Sequence, residues 1–516
     1  MILLVFIPIF TSLAIYLSKN TKVTVYSSFS NLIEIGIILY LIKYVINNGT
    51  QNIIIGGWSK IVGISLQLDL VNAIILLVTA FLWLITIIYS LPKQKEDFKF
   101  YFFLNFLRGT FYGLILSNDL FNMFVFIEII SLISAILIIY KKDGYALRAG
   151  IYYLLFNSIG MIFYLLGIVI IYTNTGTMNI ESLMTVDINA TMKMGIALII
   201  ASAGVKSAFF PVYNWLPKAH TAAPSSISAL LSGVLVKTGF IVLIKFFRYI
   251  DNTMYFEFLT AVGIVTCILG FIFAMSQKDI KSILAFHTVS QSGLILIGLV
   301  GGVTSQMGGF LHIINHAFFK SLLFLTIGLV IKKYNIRRVD KIKGVFKKLP
   351  VISILIIIGI LSITGFPFTS GFVSKVIIKS YYKGNVFMTI LFHIINLGTI
   401  ISFIKVSQIF FGTTRNKEIK ESFKENISII ILGGVTIIAG IYEMYILNNN
   451  FNFNIYITIK DFLIYGIYLM IGYGFYFYFL KKESNIFYTI RHKHLNFRDA
   501  NVLLLMFMIL SIVFIK

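Results

Sequence analysis

The chain has 516 residues, of which 58% are hydrophobic and only 12% are charged. Soluble domains carry about a quarter charged residues, so this composition excludes an ordinary soluble fold and predicts an integral membrane protein. The 43 Lys and Arg residues outnumber the 20 Asp and Glu residues, and in a membrane protein such an excess is typical of loops and does not indicate nucleic-acid binding.

Apolar runs of helix length follow one another along the chain, without the apolar–polar alternation of barrel strands. About 16 runs are long enough for transmembrane helices, which predicts an all-α polytopic protein with a single transmembrane domain, 1–516. In chain order they are Ile2–Leu17, Val25–Ile46, Leu70–Leu91, Phe100–Leu116, Leu120–Tyr140, Ala149–Tyr172, Met194–Phe210, Ser226–Phe247, Phe258–Ala274, Ile283–Val300, Phe310–Ile331, Val351–Ile378, Val386–Phe411, Ile427–Tyr442, Phe462–Phe479 and Leu503–Ile515.

The charge of the loops predicts an orientation. Loops after odd-numbered helices carry about 28 basic residues, and loops after even-numbered helices carry about six. Because basic loops remain in the cytoplasm, we expect a multi-pass protein of the cell membrane with both termini outside. The apolar start, Met1–Leu17, lacks a cleavage motif, so we expect a retained first helix.

The chain offers little for cofactor chemistry. Cys267 is the only cysteine, which excludes a disulfide within the chain and an iron–sulfur cluster held by its cysteines. No glycine-rich nucleotide-binding pattern occurs in a strand–helix context. We therefore predict no cofactor here and assign any electron transfer to other subunits.

Several ionisable residues lie inside apolar runs, where a charge costs about 2.5–3.5 kcal/mol and usually faces protein or water. A single one is compatible with a structural ion pair or with a side chain that reaches the membrane surface. A series on successive helices is typical of a proton path, because protons hop between titratable groups. The series comprises Glu128, Lys206, Lys237, His316, Lys320, Lys375, His393 and Lys405.

Two of these lysines accompany helix breakers. Proline removes a backbone donor, and broken helices inside a membrane occur only beside protein or water. Two such segments in one chain indicate an internal repeat with two half-paths. The breakers are Gly204 and Pro211 around Lys206, and Gly365 and Pro367 before Lys375.

A second motif is the spacing of His312, His316 and Lys320, which places all three on one face of a helix. A metal site is one interpretation, but the histidine pair lacks a neighbouring carboxylate or cysteine and the Glu of the zinc protease motif. A polar packing stripe and a hydrated proton path are the other interpretations, and the path is favoured.

Taken together, these segments resemble the antiporter-like subunits of respiratory complex I, membrane-bound hydrogenases and Mrp sodium/proton antiporters. The longest match runs from Gly204 to Gly239 and includes Phe210-Pro211-Val-Tyr-Asn-Trp215-Leu-Pro217-Lys-Ala-His220. Residues 122–128, 279–291, 312–320 and 365–375 support it. The resemblance covers roughly Leu70 to Gly412.

This resemblance implies a core of about 14 helices with two inverted five-helix repeats, at 98–249 and 256–412, with helices 7 and 12 broken and about two further helices within 427–516. It also implies a role for each buried charge. Glu128 modulates Lys206, Lys237 relays the proton, His312 and His316 line a hydrated axis that Lys320 extends, and Lys375 is the terminal proton carrier.

The chain departs from the family pattern in the sixth helix. A lysine is common there, whereas this chain has Arg148, Tyr152 and Tyr153, so the entry-side residue stays open. The complex I member with a long lateral helix is excluded, because only a short polar loop and one span follow Phe479. The segment His287-Thr-Val-Ser-Gln291 is closer to the Mrp and hydrogenase members.

The resemblance implies partners and leaves the driving reaction open. Other membrane subunits and lipid are expected, with iron–sulfur or nickel–iron subunits of a peripheral arm if the assembly is a redox-driven hydrogenase or NADH/quinone-type enzyme. The coupled ion is a proton, alone or exchanged for sodium. Two alternatives remain: a broken-helix solute transporter with a roomy pocket at the membrane midplane, and a structural subunit that conducts nothing.

Overall fold

The computed structural model describes the chain except residues 20–21, 60–62, 95–96, 249, 251–254, 414–418, 452, 454, 483, 494 and 516, and the side chains of 92–94, 184–185, 424 and 450–451. Four loop cations behind the predicted orientation, Lys60, Lys95, Arg415 and Lys417, lie outside the described residues, as does the predicted repeat boundary at 249. The orientation stays a prediction.

Helices make up most of the described chain. They are α1 (Ile2–Ser18), α2 (Val23–Asn48), α3 (Leu70–Gln94), α4 (Phe98–Leu116), α5 (Leu120–Ile139), α6 (Gly144–Thr175), α7 (Ala190–Lys206), α8 (Trp215–Ala222), α9 (Ser225–Leu230), α10 (Lys237–Phe247), α11 (Phe256–Ser276), α12 (Ile280–Val300), α13 (Val303–Tyr334), α14 (Val345–Lys348), α15 (Pro350–Thr364), α16 (Ser370–Tyr381), α17 (Val386–Ser407), α18 (Phe423–Phe451), α19 (Ile459–Phe475), α20 (Asn485–His492) and α21 (Phe497–Phe514). Short 3-10 turns span Glu181–Thr185 and Gln408–Phe410, and π-helical turns span Leu231–Leu235 and Tyr476–Leu480.

The predicted apolar runs fall on these helices. Twelve helical segments in the described ranges are long and apolar enough to cross a membrane, and each coincides with one predicted run. Of the other four runs, three fall on the single helices α1, α4 and α7, and the fourth covers both α15 and α16, which a short break separates. A polytopic helical membrane protein is therefore confirmed.

One small sheet departs from the all-α prediction. Strand β1 (Gln51–Ile54) pairs antiparallel with β2 (Ser65–Leu68), so that Gln51 faces Leu68. Gly56 and Gly57 follow β1 with positive φ, a backbone conformation that glycine adopts without steric cost. The amide of Asn179 donates to Ser65 Oγ at 2.6 Å and ties the sheet to the segment after α6.

The described residues form two compact units. The first contains Met1–Leu230, Val234–Phe258 and Phe497–Lys516, and the second contains Leu231–Gly233 and Leu259–Asn496. The last helix, α21, thus belongs to the first unit, where Phe514 stacks on Phe258 with 5.9 Å between ring centroids. The predicted division at 98–249, 256–412 and 427–516 stays a prediction.

The two units repeat one local arrangement. Asp119 caps α5 by accepting from the backbone N–H of Asn122 at 2.7 Å and bridges to Asn179, four residues beyond α6. Asp279 caps α12 by accepting from Lys281 N–H at 2.8 Å and bridges to Arg338, four residues beyond α13. Both α6 and α13 have 32 residues.

Each unit also contains an interrupted helix of the predicted kind. In the first, α7 ends at Lys206 and α8 begins at Trp215. In the second, α15 ends at Thr364 and α16 begins at Ser370. Gly204 lies inside α7, two residues before its end, so it does not break the helix; a Cβ there would be 2.9 Å from Phe209 and 3.0 Å from Phe507 of α21.

A buried ion pair joins α2 to α4 in the first unit. Arg108 holds both carboxylate oxygens of Glu34, with Nε to Oε2 and Nη2 to Oε1 each at 3.0 Å, and both side chains are 0% exposed. Arg108 Nη2 also donates to Ser30 Oγ at 2.9 Å. Burial of either charge without its partner is costly, so this pair specifies how α2 and α4 pack.

Removal of the cation should therefore destabilise the first unit. We expect Arg108→Met to lower the free energy of unfolding by about 3–5 kcal/mol, because Glu34 loses its counter-charge. Denaturation of the purified protein in detergent measures the change. The double variant Arg108→Met/Glu34→Gln should recover most of it, and Lys99→Met on the exposed end of α4 is the matched control. Equal stability of Arg108→Met and Lys99→Met would contradict the proposed importance of the pair.

Candidate functional site

The first helix break leaves backbone carbonyls that other groups satisfy. Trp215, the first residue of α8, donates its indole N–H to the carbonyl of Val205 at 2.8 Å. The backbone N–H of Phe209 donates to Gly204 at 3.0 Å and that of Ser207 to Ala203 at 2.9 Å. The predicted breaker Pro211 lies in the segment between α7 and α8. The chain can therefore interrupt this helix among buried residues without leaving these carbonyls unpaired.

Lys206 is the last residue of α7 and is only 5% exposed. Its ammonium group donates to the hydroxyl of Ser131 in α5 at 2.5 Å. Glu128 lies one turn before Ser131 and interacts electrostatically with Lys206, but the described residues contain no direct ion pair between them. Ser158 donates to Glu128 Oε2 at 3.4 Å. In the described residues, Lys206 is therefore bonded to Ser131, and Glu128 accepts from Ser158 instead of forming an ion pair with this lysine.

Lys237 begins α10 directly after the π-helical turn Leu231–Leu235 and is 3% exposed. Such turns are often found at functional sites. Two residues later, Gly239 lets α10 approach the Lys206 break closely, since a Cβ there would be 2.1 Å from the carbonyl oxygen of Ala203 and 2.3 Å from Ser207 Oγ. The helix that begins with Lys237 therefore packs closely against the end of α7 at the first break.

The sixth-helix position without a lysine is served by a neighbouring segment. Lys218 of α8 lies over the ring of Tyr152 of α6, with 3.7 Å from its Nζ to the ring centroid. Asn214 donates to the Tyr152 hydroxyl at 3.0 Å. A cation of α8 therefore lies against the α6 position where the family pattern has a lysine, a contact that spacing within α6 could not reveal.

Lys375 lies in α16, just after the second break. Its ammonium group donates to the carbonyl of Ile363 at 2.7 Å and to Asn396 Oδ1 at 3.0 Å. Gly365 ends α15 with φ of 73°, and a Cβ there would be 3.2 Å from Cδ of Lys375. Glycine at this position therefore provides both the turn and the room for Lys375. Pro367 lies between α15 and α16, as predicted.

The histidine stripe on α13 is held by direct contacts. Nδ1 of His312 is 2.9 Å from Ser374 Oγ, and its Nε2 is 2.9 Å from Gln291 Oε1. His316 packs edge-on against Phe319 with 5.4 Å between centroids. Both histidines are 0% exposed. In the part of the chain that the structure describes, no group of three His, Cys, Asp or Glu residues could hold a metal ion.

Lys320, the third residue of this stripe, contacts α12, which carries His287, a histidine that the motif spacing did not identify. Its ammonium group donates to the carbonyl of Leu284 in α12 at 2.7 Å. His287, one turn along α12, interacts electrostatically with both Lys320 and Lys375. It is 0% exposed and stacks on Phe403, and neither ring nitrogen has a hydrogen-bond partner among the described residues.

A carboxylate of the second unit also escaped prediction. Glu443 of α18 accepts a hydrogen bond from Asn315 Nδ2 at 2.8 Å, and the same amide donates to the carbonyl of Ser370 at 2.9 Å, where α16 begins. Asn315 lies next to His316. Glu443 directly follows the predicted apolar run Ile427–Tyr442, and it was missed because the search for ionisable residues stopped at the ends of the runs, whereas α18 continues to Phe451.

Two further buried lysines bind helix ends. Lys245 of α10 donates to the carbonyl of Ser117, which follows α4, at 2.6 Å. Lys405 of α17 donates to the carbonyls of Met275 and Gln277 at the end of α11, both at 2.7 Å. Each cation satisfies carbonyls that a helix end leaves unpaired, a structural role repeated in the two units.

An open cavity of about 780 Å³ lies beside Lys375 in the second unit. Its wall includes Lys379, His393, Tyr468 and Asp461. Lys379 Nζ is 3.1 Å from His393 Nε2, and His393 Nδ1 is hydrogen-bonded to the hydroxyl of Tyr468. Lys375 and these titratable side chains therefore line one cavity.

Comparisons with known proteins agree with this arrangement. Residues 117–402 match the family described as NADH:quinone oxidoreductase/Mrp antiporter, TM. The chain is 28% identical over 448 residues to the D subunit of the Na(+)/H(+) antiporter of Alkalihalophilus pseudofirmus, covering 83% of this chain and 90% of that one. It is 30% identical over 388 residues to the corresponding antiporter protein of Bacillus subtilis, covering 72% and 78%. It is also 28% identical over 397 residues to the NADH-quinone oxidoreductase subunit N of Desulforudis audaxviator, covering 72% and 78%.

Solved structures show the same fold. A chain of the archaeal membrane-bound sulfane sulfur reductase superposes with a TM-score of 0.80 at 25% identity, covering 90% of this chain and 97% of that one. A chain of the Mrp complex from Dietzia sp. superposes with a TM-score of 0.81 at 21% identity, covering 95% and 98%. The chain therefore belongs to the NADH:quinone oxidoreductase/Mrp antiporter transmembrane family, as an antiporter-like membrane subunit of multisubunit complexes.

Proposed function

We propose that this chain translocates protons across the membrane through its buried lysines, histidines and carboxylates. The observation that carries the proposal is common to Lys206 and Lys375. Each lies beside the interruption of a broken helix, and each binds neutral oxygen atoms with no carboxylate at ion-pair distance among the described residues.

Neutral partners suit a group that must gain and lose a proton. An ammonium ion locked to a carboxylate in a low-dielectric site is held in its charged form. A hydroxyl or amide oxygen stabilises the ammonium less, and a hydroxyl can also donate to the neutral amine. The Ser131 and Asn396 contacts therefore support proton exchange at both lysines.

The first step concerns Glu128 and Lys206. When Glu128 is close, its charge stabilises the protonated lysine; when a neighbouring subunit draws them apart, Lys206 loses that support and releases its proton. Ser131 holds the ammonium one helical turn from the carboxylate, which is the arrangement expected for the releasing state.

The later steps use groups of both units. Lys237 receives the proton in the first unit, and Lys375 releases it from the second. His287, His312, His316, Lys320 and Glu443 form the titratable set of the second unit. His312 is hydrogen-bonded to Ser374, the residue before Lys375, which supports its place in the path.

Entry and exit follow from the remaining contacts. Lys218 over Tyr152 is proposed as the entry-side group in place of the missing lysine of α6. The cavity with Lys379, His393 and Asp461 is proposed as the exit, on the outer side of the membrane according to the loop charges. The N-terminus is then also outside.

The repeated arrangement supports two half-paths. The matching caps at Asp119 and Asp279 and the matching contacts of Lys245 and Lys405 favour an internal duplication. We propose that it consists of the two inverted five-helix repeats of the family, within a core of about 14 helices followed by about two C-terminal helices.

The assembly is proposed to be of the Mrp type, with sodium exchanged for protons, on the strength of the similarity to the two Na(+)/H(+) antiporter proteins. A hydrogenase-like or quinone-reductase-like assembly is the rival, since relatives include the hydrogenase-4 component B of Escherichia coli. Purification in mild detergent with mass spectrometry separates them. Iron–sulfur or nickel–iron subunits identify a redox-driven module, and small membrane subunits alone identify an antiporter.

Two other functions remain to be excluded by experiment. A solute transporter requires uptake of an organic substrate, which a radiolabelled screen detects. A structural subunit requires that transport by the complex be unaffected by substitution of Lys206 and Lys375, the lysines beside the two breaks.

Lys206→Ala should abolish transport. In sealed vesicles containing the complex, we expect proton movement to fall about a hundredfold or more, because the amine that binds and releases the proton is gone. Ser131→Ala should cause a smaller loss and Ser131→Thr, which keeps the hydroxyl, almost none. Lys193→Ala on the same helix is the matched control. Normal transport by Lys206→Ala would overturn the proposed path and favour a structural subunit.

The exit cavity should be accessible from one side. In a Cys267→Ser background, which removes the only cysteine, we expect Val376→Cys and Phe392→Cys in the cavity wall to react with a membrane-impermeant thiol reagent added outside. Leu296→Cys, at a 0% exposed position, should not react. Labelling from the cytoplasmic side alone would reverse the proposed direction of exit.

A further inference from the structure

A second open cavity of the second unit has a different character. It is open to solvent, with about 840 Å³ of empty space, and lies where α11, α17 and the π-helical turn Tyr476–Leu480 end, beside α20. Its wall contains five cations and one carboxylate: Lys278, Lys405, Lys481, Lys482, Arg491 and Asp340. No residue of the proposed proton path lines it.

The one carboxylate already has a cation. Arg338 donates to Asp340 through Nη2 at 2.8 Å and through Nε at 3.2 Å. These hydrogen bonds lower the pKa of the Asp340 carboxyl, which therefore stays paired and anionic. The wall thus has more cationic than anionic side chains, and its net positive charge favours an anion in the cavity.

The surroundings place this cavity at the surface of the membrane. The end of the α19 segment exposes Phe477, Tyr478 and Phe479 by 58%, 81% and 49%. The next helix, α20, exposes Ile486 by 69% and ends in Arg491 and His492. A short helix with an apolar face and a basic end is typical of the interface between acyl chains and water.

We propose that this cavity binds the phosphate headgroup of an anionic phospholipid, whose acyl chains lie along the exposed aromatic residues 477–479. Basic pockets between transmembrane helices recognise such headgroups, because several Lys and Arg side chains together neutralise a phosphate. Lys481 is already oriented over the Phe477 ring, 3.9 Å from its centroid, at the boundary between the apolar surface and the cavity.

The shape of the site favours a lipid over a free anion. The cations lie at the end of a helix whose exposed aromatic surface continues into the bilayer, so a ligand with both a phosphate and acyl chains contacts both parts. Inorganic phosphate and glycerol phosphate contact only the cations and should bind more weakly.

The test uses the complex purified in detergent. Native mass spectrometry after titration with phosphatidylglycerol or phosphatidylcholine measures lipid bound to this subunit. We expect saturable binding of phosphatidylglycerol alone, and Lys481→Gln/Lys482→Gln should weaken it at least about tenfold. Both lysines are exposed, so the substitutions should not impair folding. Lys347→Gln/Lys348→Gln, with the same change of charge in α14 outside the cavity, is the control.

Three results would overturn the proposal: unchanged binding by Lys481→Gln/Lys482→Gln, equal binding of phosphatidylcholine, or displacement of the lipid by millimolar inorganic phosphate, which would indicate a free-anion site. None of these readouts depends on proton transport.

Discussion

The structure depends on one requirement: an ammonium group removed from water needs oxygen acceptors. Five buried or half-buried lysines meet it with uncharged oxygens of the described residues. Lys206 uses a serine hydroxyl, Lys375 uses a carbonyl and an amide oxygen, and Lys320, Lys245 and Lys405 use backbone carbonyls. The fully buried Arg108 differs, since it is paired with Glu34. The buried charge that has a counter-charge thus joins two helices, whereas Lys206 and Lys375 lie beside the interruptions with uncharged partners.

The interruptions supply part of these acceptors. A helix that stops inside the protein leaves carbonyls at its end, and each break resolves this differently. At the first break, the indole N–H of Trp215 donates a hydrogen bond to the carbonyl of Val205. At the second break, the ammonium group of Lys375 itself donates to the carbonyl of Ile363. In the second unit the end of the broken helix is therefore hydrogen-bonded directly to Lys375, and a shift of α15 relative to α16 would change the environment of this lysine.

The sequence predicted the helices well, because a long apolar run in a membrane protein nearly always forms a helix. It also located the two interruptions, since Pro211 and Pro367 each lie between two helices. It could not predict contacts between distant segments. The contacts of Lys206 with Ser131, of Lys218 with Tyr152 and of Glu443 with Asn315 depend on how helices pack, which no spacing within one helix reveals. The sheet at Gln51–Leu68 was missed because its strands are four residues long, and Gly204 was taken for a breaker although its role is close packing.

The position of α21 has a consequence for biosynthesis. Phe507 of this helix covers Gly204, two residues from Lys206, and Phe497 packs edge-on against Tyr152 with 5.3 Å between centroids. The ribosome makes α7 long before it makes α21, so the nascent first unit must wait in the bilayer with this surface open to lipid or to an insertion factor. Only when the last helix enters can the unit close, which makes the arrival of α21 a natural checkpoint before the subunit joins its complex.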